Sequence, residues 1–510
     1  MAGSPGSDAV PRGARTGNVV AYDVGTSGVK AAITDLTGRV VASRYVSYGL
    51  ETQPGGLVVQ DLDEIMAAIG SATRDLLSMG RVTGTDIVGV GVTGQMFNLV
   101  AADARGEPLL PMIHWLDLRT VAQAEALKRV IPPPDQFRIF GSIVTAKDLI
   151  PRIIWLRDER PDIWRRTVWL LDCKDAVIMR LTGAAATDYG TGAAFRLLDP
   201  GTRAWSAAAC SLLDFPPERL PPIGPAPRVA GWLRPDTAGV LGLPKGTPVI
   251  VGGGDVLATQ VGSGALGVGD AQLSVGTAAY WGITLAEPGM DPSGRVGALA
   301  HMDPERWILW LEIATAGGAM AWLVRILDGD GPPDHTAVDR LVRDAIGDET
   351  PIFAPWLTGE RAPLFDDEVR GAFVGLQLRH GRGHLLRAVM EGVAFQIRWA
   401  FDYAVSFGQP VETVRAIGGG ALSDVWLQII ADALERPVLM VANGHDAGAR
   451  GAAENVLVAL GVEPDFRFAA RGARIIRTVW PDQAGLDRMA LRYPTYRALY
   501  EALRPLHADG

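Results

Sequence analysis

The sequence predicts an α/β protein built as two large domains, or three, around a cleft. Three observations carry that expectation. A chain of 510 residues is too long for a single hydrophobic core. Residues 19–34, Val-Val-Ala-Tyr-Asp-Val-Gly-Thr-Ser-Gly-Val-Lys-Ala-Ala-Ile-Thr, read as a strand, a tight turn and a second strand. In the other half of the chain, residues 273–280, Leu-Ser-Val-Gly-Thr-Ala-Ala-Tyr, again set Val-Gly-Thr between two apolar, β-prone runs.

The first hairpin carries more chemistry. Its leading strand ends in Asp23, which an apolar strand has no packing reason to hold. The turn Gly25-Thr26-Ser27-Gly28 offers main-chain N–H groups, two hydroxyls and glycines that let an anion approach the backbone. A carboxylate does not bind phosphate, but Asp23 can hold a Mg²⁺ ion that does, directly or through water. Two such hairpins, one in each half, can grip a polyphosphate from opposite sides of a cleft. No Gly-x-x-x-x-Gly-Lys-Ser/Thr segment occurs, so an ordinary P-loop is excluded.

Past the hairpin, residues 39–46 continue as a third strand after a turn at Gly38. Asp61 caps a helix to about Met79, whose Leu62, Ile65, Met66, Ile69, Leu76 and Leu77 keep the 3.6-residue period. Residues 87–92 form a buried strand and 97–102 another. Gly89-x-Gly91-x-x-Gly94 and Gly262-x-Gly264-x-x-Gly267 both spell the dinucleotide-binding pattern. Neither has the strand–turn–helix setting that mechanism requires. Trp115, Asp117 and Arg119 alternate, so an extended chain would put an aromatic wall and two charges on one face, suited to a polyhydroxylated ligand.

Helices follow near 161–166 and 174–182. A strand at 248–251 then runs into Gly252-Gly253-Gly254-Asp255, a carboxylate at the end of a parallel-type strand, where α/β sites gather. Gly317-Gly318 open a helix to about Leu327, and a long helix bearing His384, Glu391 and Gly392 spans about 383–407. Gly418-Gly419-Gly420-Ala421 joins a strand at 412–417 to a helix at 422–435, a turn on which a nucleotide base or ribose could lie flat. A last helix, about 483–507, is expected to pack back on the body.

Composition narrows the partners. The net charge of −9 argues against nucleic acid or an anionic membrane as a main partner. Cys173 and Cys210 lack metal-site spacing and the seven histidines form no cluster, so a reducing cytoplasm is the expected compartment. Residues 1–17, rich in Gly, Ser, Pro and Arg, are expected to be a disordered tail rather than a signal peptide. No apolar run reaches membrane-spanning length.

Taken in order, these segments resemble the FGGY carbohydrate kinases, closest to their xylulokinase-like branch, over nearly the whole chain. Residues 23–30 resemble the first phosphate motif of the wider actin, sugar-kinase and heat-shock-chaperone ATPase superfamily. Gly94-Gln95-Met96 with Trp115-x-Asp117-x-Arg119 is similar to the family's sugar-side segment, and Gly252–Asp255 to its catalytic-base motif. Residues 353–363 and 370–375 resemble its second signature region, and residues 418–426 its adenosine motif.

The resemblance implies two actin-like ATPase (ribonuclease H-like) domains, with mixed sheets flanked by helices, hinged over a central cleft. Residues 18–258 would form the sugar side and 259–510 the nucleotide side. The implied reaction moves the γ-phosphoryl of MgATP to a hydroxyl of a small sugar, with ATP and Mg²⁺ as cofactors. No nucleic-acid or membrane partner is implied, and a homodimer is the assembly to test. Asp255 is implied as catalytic base and Asp23 as the Mg²⁺ ligand. Gly25, Thr26, Ser27, Lys30, Gly276 and Thr277 would hold the phosphates, and Gly318, Gly419, Gly420, Ala421 and Ser423 the adenosine. Gln95, Met96, Phe97, Trp115, Asp117 and Asp255 would meet the sugar. Because phosphoryl transfer needs alignment and charge neutralisation more than a strong base, an unperturbed carboxylate pKa of about 4 is no objection to Asp255 in that role.

The departures from the family fall on the sugar side. Xylulokinases read Gln-Met-His-Gly where this chain has Gln95-Met96-Phe97-Asn98, and Asn where it has Val256. Residues 56–61 lack that branch's Trp and Glu. D-Xylulose is thus the default acceptor, with ribulose, gluconate, erythritol or another polyol as alternatives. A chaperone-type ATPase has no use for Asp255 or Trp115; a catalytically silent ATP- and sugar-binding sensor is the competing class.

Overall fold

The computed structural model describes residues 16–288, 291, 295–329, 334–345, 350–408 and 410–506. All but the last two residues of the expected 1–17 tail, and residue 507 of the expected last helix, lie outside them.

Among these residues two mixed sheets form the frame. The first orders its strands Val229–Trp232, Pro248–Ile250, Ile87–Gly94, Asn18–Val24, Gly28–Asp35 and Val40–Ser47. Asn18–Val24 is central, parallel to Ile87–Gly94 and antiparallel to Gly28–Asp35. Its Val19, Val20, Ala21 and Tyr22 are all buried, because helices cover both faces and leave no solvent side for polar residues to alternate onto. Leu62–Ser78 lies on one face through Leu62, Ile65, Ile69 and Leu76. Asp61 caps that helix by accepting from the Asp63 N–H.

The second sheet orders Ala298–Ala300, Trp307–Ile313, Ala279–Leu285, Asp270–Val275, Thr413–Ile417, Val438–Val441 and Ile475–Val479. It repeats the first sheet's plan. A leading strand forms an antiparallel hairpin on one side and takes two parallel strands on the other. The second parallel strand in each sheet is followed by a helix, Asp255–Ser263 in one half and Ala447–Ala459 in the other. The expected 258/259 division falls inside the first of these helices.

Each helix covers the opposite half. Ala452, Ala453, Val456 and Leu457 pack on Val19, Ala21 and Ile250 of the first sheet, while the Gln260 amide donates to the Gly282 carbonyl of the second. The helices cross where both are glycine. A methyl group on Gly262 would stand 1.9 Å from the Ala447 carbonyl oxygen, and one on Gly451 1.9 Å from that of Ala258. Likewise a methyl on Gly91 would stand 2.6 Å from the Ala452 oxygen. The two glycine patterns that mimic a dinucleotide fingerprint thus serve backbone-to-backbone packing. Gly451→Ala is expected to lower stability by roughly 1–3 kcal/mol as the helices are forced apart. Gly239→Ala, where a methyl meets nothing within 4 Å, is the control. Equal melting temperatures for the two variants would refute this account of the crossing.

Elsewhere the strand expected over 97–102 shrinks to Val100–Ala102, because Phe97 takes a left-handed φ of 65° and turns the chain. The long helix is Arg382–Val405 and the last is Gln483–Leu503. The last helix docks on the long one through Tyr493, which donates to Asp402 at 2.8 Å, and Tyr496, which donates to Gln396 at 2.6 Å. No helix among the described residues is long and apolar enough to cross a membrane.

Candidate active site

Asp23 stands at the end of the central strand of the first sheet, and Asp255 follows Pro248–Ile250, one strand further out beyond Ile87–Gly94. Asp23 sits beside Thr93 of the adjacent strand, and the Thr93 hydroxyl donates to the Gly253 carbonyl at 2.8 Å. Gly252, at φ +67°, lets the following turn drop onto that strand, since a methyl there would stand 2.1 Å from the Val92 oxygen. Asp255 then opens a helix, its Oδ1 accepting the Val256 N–H at 2.7 Å. Burial first, and the nearby Asp23 charge second, push its pKa up to about 7. The carboxyl is thus shifted from its unperturbed value, which would already have sufficed, to change protonation near neutral pH.

Burial also raises Asp23, to about 6, with Lys30 opposing the shift and Asp446 adding to it. Its Oδ2 faces the start of the Ala447–Ala459 helix so closely that a methyl on Gly448 would stand 2.2 Å away. Among the described residues no group of three or more His, Cys, Asp or Glu could hold a metal by itself. Mg²⁺ bound to a polyphosphate takes one or two protein carboxylates and completes its shell from phosphate and water. A buried carboxylate that burial disfavours as an anion fits such a cation.

Lys30 stands across the hairpin from Asp23, but its ammonium donates to the His445 carbonyl and lies 3.6 Å from Asp446. The lysine expected at the phosphates instead ties the first hairpin to the turn before the other half's helix. Ser27 shares a 3.0 Å hydrogen bond with Tyr45, and the Gly25 N–H closes the turn onto Gly28 at 3.0 Å.

The segments around Gly317 and Gly418 converge on the second hairpin. Gly317 and Gly318 donate their N–H groups to the carbonyls of Gly276 and Thr277 at 2.8 and 2.9 Å. Gly418 and Gly420 abut Val275, while a methyl on Gly419 would meet nothing within 4 Å. Three of the expected adenosine contacts thus serve the fold. The Gly318 N–H is taken, Ala421 is buried, and the Ser423 hydroxyl caps a helix at Trp426 and binds Asp339. Gly419 is the residue left facing open space.

A cavity of about 340 Å³ lies between the halves, lined by Thr26, Gln95, Met96, Phe97, Trp115, Asp255 and Val256 of the first, and by Tyr280, Trp310 and Glu312 of the second. Trp115 joins this wall to the Gly25–Gly28 turn, its indole N–H donating to the Thr26 hydroxyl at 3.2 Å. Gln95 donates to Gln60, which donates to the Thr26 carbonyl. His114 accepts the Leu116 N–H on Nδ1, so its Nε2 carries the proton given to Gln95; burial, the main cause, and Arg152 depress its pKa to about 4. Phe97 stacks on Trp310 with ring centroids 6.3 Å apart.

Asp117 is not part of this wall. Residues 114–120 turn rather than extend, and the Asp117 carboxylate is buried against the Val58 N–H and the Arg119 guanidinium. Arg119 itself covers Trp155. The alternation that predicted one shared face is overturned by that turn. Sequence reading also missed Lys147 and Arg196 and the three second-half residues Arg295, Trp310 and Glu312, which reach the cavity from distant segments.

The FGGY family of carbohydrate kinases matches this chain twice, its N-terminal domain over residues 18–262 and its C-terminal domain over 271–460. The chain is 28% identical to a xylulose kinase of Bacillus subtilis over 96% of its own length and 98% of that protein's. A gluconokinase of Bacillus licheniformis is 25% identical over 88% of this chain and 89% of its own. The crystal structure of a xyloylose kinase from Brucella ovis superposes with a TM-score of 0.89 at 31% identity, covering 96% of this chain and all 100% of that one.

Proposed function

The chain belongs to the FGGY family of carbohydrate kinases and is an ATP-dependent sugar kinase, and on that premise we propose how its cleft divides the work. Asp255 orients the acceptor hydroxyl and takes its proton. Asp23 positions the metal of MgATP, which supplies the γ-phosphoryl group and the positive charge that neutralises it. The Gly25-Thr26-Ser27 and Gly276-Thr277 turns flank the phosphates, and Gly419 lies under the nucleoside. Residues 18–258 and 259–510 act as the two jaws. The observation that carries this reading is the meeting of Asp255, Thr26 and Tyr280 around one cavity, a base beside both hairpins. Closure of the jaws would exclude water that competes with the sugar for the phosphoryl group. An ADP-release assay over ketoses, polyols and aldonates, with and without a Mg²⁺ chelator, tests it. Saturable ATP and sugar binding with no ADP formed from any acceptor would instead mark a silent sensor.

The same cavity bears on the default acceptor. Phe97 and Val256 both line it, where polar neighbours stand in the xylulokinases that the chain resembles. A hydroxyl left unpaired on closure costs on the order of 1–3 kcal/mol, so D-xylulose is expected to be a poor substrate. Phe97→His combined with Val256→Asn should raise kcat/KM for D-xylulose more than for the preferred acceptor. A wild-type kcat/KM for D-xylulose above about 10⁵ M⁻¹s⁻¹ would defeat the idea, since enzymes ordinarily reach that value on their own substrates.

A further inference from the structure

We propose that the acceptor carries a carboxylate, and that Lys147 from the first half and Arg361 from the second clamp it; this rests on the kinase reading above. Both side chains line the acceptor cavity with Asp255. Four cationic residues surround that space, Lys147, Arg196, Arg295 and Arg361. Two have carboxylate partners, Arg196 with Asp148 at 3.1 Å and Arg361 with the exposed Asp367 at 3.1 Å. Lys147 has no ion pair within 4.0 Å among the described residues, although Glu312 lines the same cavity.

Its loop holds it in place. Asp148 accepts the Thr145 N–H and hydroxyl, and the Lys147 N–H donates to the Thr145 hydroxyl at 3.3 Å. Burial, and then the Arg361 charge, depress the Lys147 pKa, while Glu312 and Asp367 only partly offset them. Two like charges from opposite jaws thus share a half-buried space, an arrangement that an anion between them relieves. The rest of the wall agrees. Phe97, Met96 and Val256 offer no partner to hydroxyls, so on that part of the wall the charged side chains are the strongest handle. Because the clamp draws on both jaws, a bound carboxylate would also favour closure with the hydroxyl end of the acceptor at Asp255.

The test compares D-xylonate and D-gluconate with D-xylulose and xylitol in the wild type, Lys147→Ala and Lys147→Arg. Wild type should prefer one aldonate over both neutral compounds by about 10-fold or more in kcat/KM, the range for hydrogen bonds to charged groups. Lys147→Ala should lose most of that preference through a raised KM for the aldonate, lose less on neutral acceptors, keep the KM for ATP within about threefold, and be partly rescued by Lys147→Arg. Preference for a neutral acceptor in the wild type overturns the inference and leaves the kinase standing. An equal loss on all acceptors, or a raised KM for ATP, also overturns it, since the lysine would then serve the γ-phosphate. No ADP release with any acceptor overturns both readings.

Discussion

Asp255→Asn is expected to keep the fold and ATP binding and to lose kcat by about 10²–10⁴-fold, the usual contribution of a positioned base. A variant keeping more than about a tenth of wild-type turnover would remove Asp255 from that role. The raised pKa adds a second signature. The base must be ionised, so kcat/KM should rise with pH through an inflection near 7 that the variant lacks. Asp23 titrates beside it, so the limb belongs to the pair rather than to one residue. Stability should move the opposite way. An unfolded Asp gives up its proton near pH 4, the folded Asp255 only near 7, so across that window the folded state binds more protons and stability falls as pH rises. Above pH 7 the asparagine variant, free of that penalty, should melt higher than wild type; below pH 4 the two should coincide. A variant that melts lower at pH 8 would show that the carboxylate is structural.

How much of this was legible follows from how local each signal is. The hairpins, the Gly252–Gly254 turn and the caps are written in consecutive residues, because a tight turn or an N-cap needs particular side chains at fixed offsets. Asp23 and Asp255 stood out for the same reason, each a carboxylate where an apolar strand or a glycine turn gives it no packing role. Asp117 misled because alternation implies a shared face only if the chain is extended, and a turn at 114–120 removes that condition. Lys147, Arg196, Arg295 and Trp310 were invisible because nothing local marks them; two folded halves bring their loops and strands to one cavity. The pKa of Asp255 was illegible for a related reason, since burial and the charge of Asp23 set it and both exist only in the fold. Gly91 and Gly262 show the converse. Their patterns were visible, but their meaning, close packing on a helix far away in the sequence, was not.

Asp23→Ala is expected to lower Mg²⁺-dependent turnover by about 10²–10⁴-fold, the scale on which charge-stabilising groups act, and to weaken MgATP binding. Sugar binding measured calorimetrically should stay near wild type, because Asp23 is not part of the acceptor wall. Two partners should register the loss. Lys30 faces Asp23 across the hairpin but is held by His445 and Asp446, so the hairpin should stay closed and the variant should fold. Asp255 responds in the opposite sense to damage. Removing the Asp23 charge takes away the second-largest cause of its raised pKa, so the residual activity should show its inflection at lower pH than wild type. A merely misfolded site would lose rate without that acid shift. Saturating Mg²⁺ should recover part of the rate if phosphate and water supply most of the metal's shell, as Mg²⁺ prefers. Unchanged ATP affinity with collapsed sugar affinity would place Asp23 on the wrong side of the cleft. An unmoved inflection would break the electrostatic link between the two aspartates.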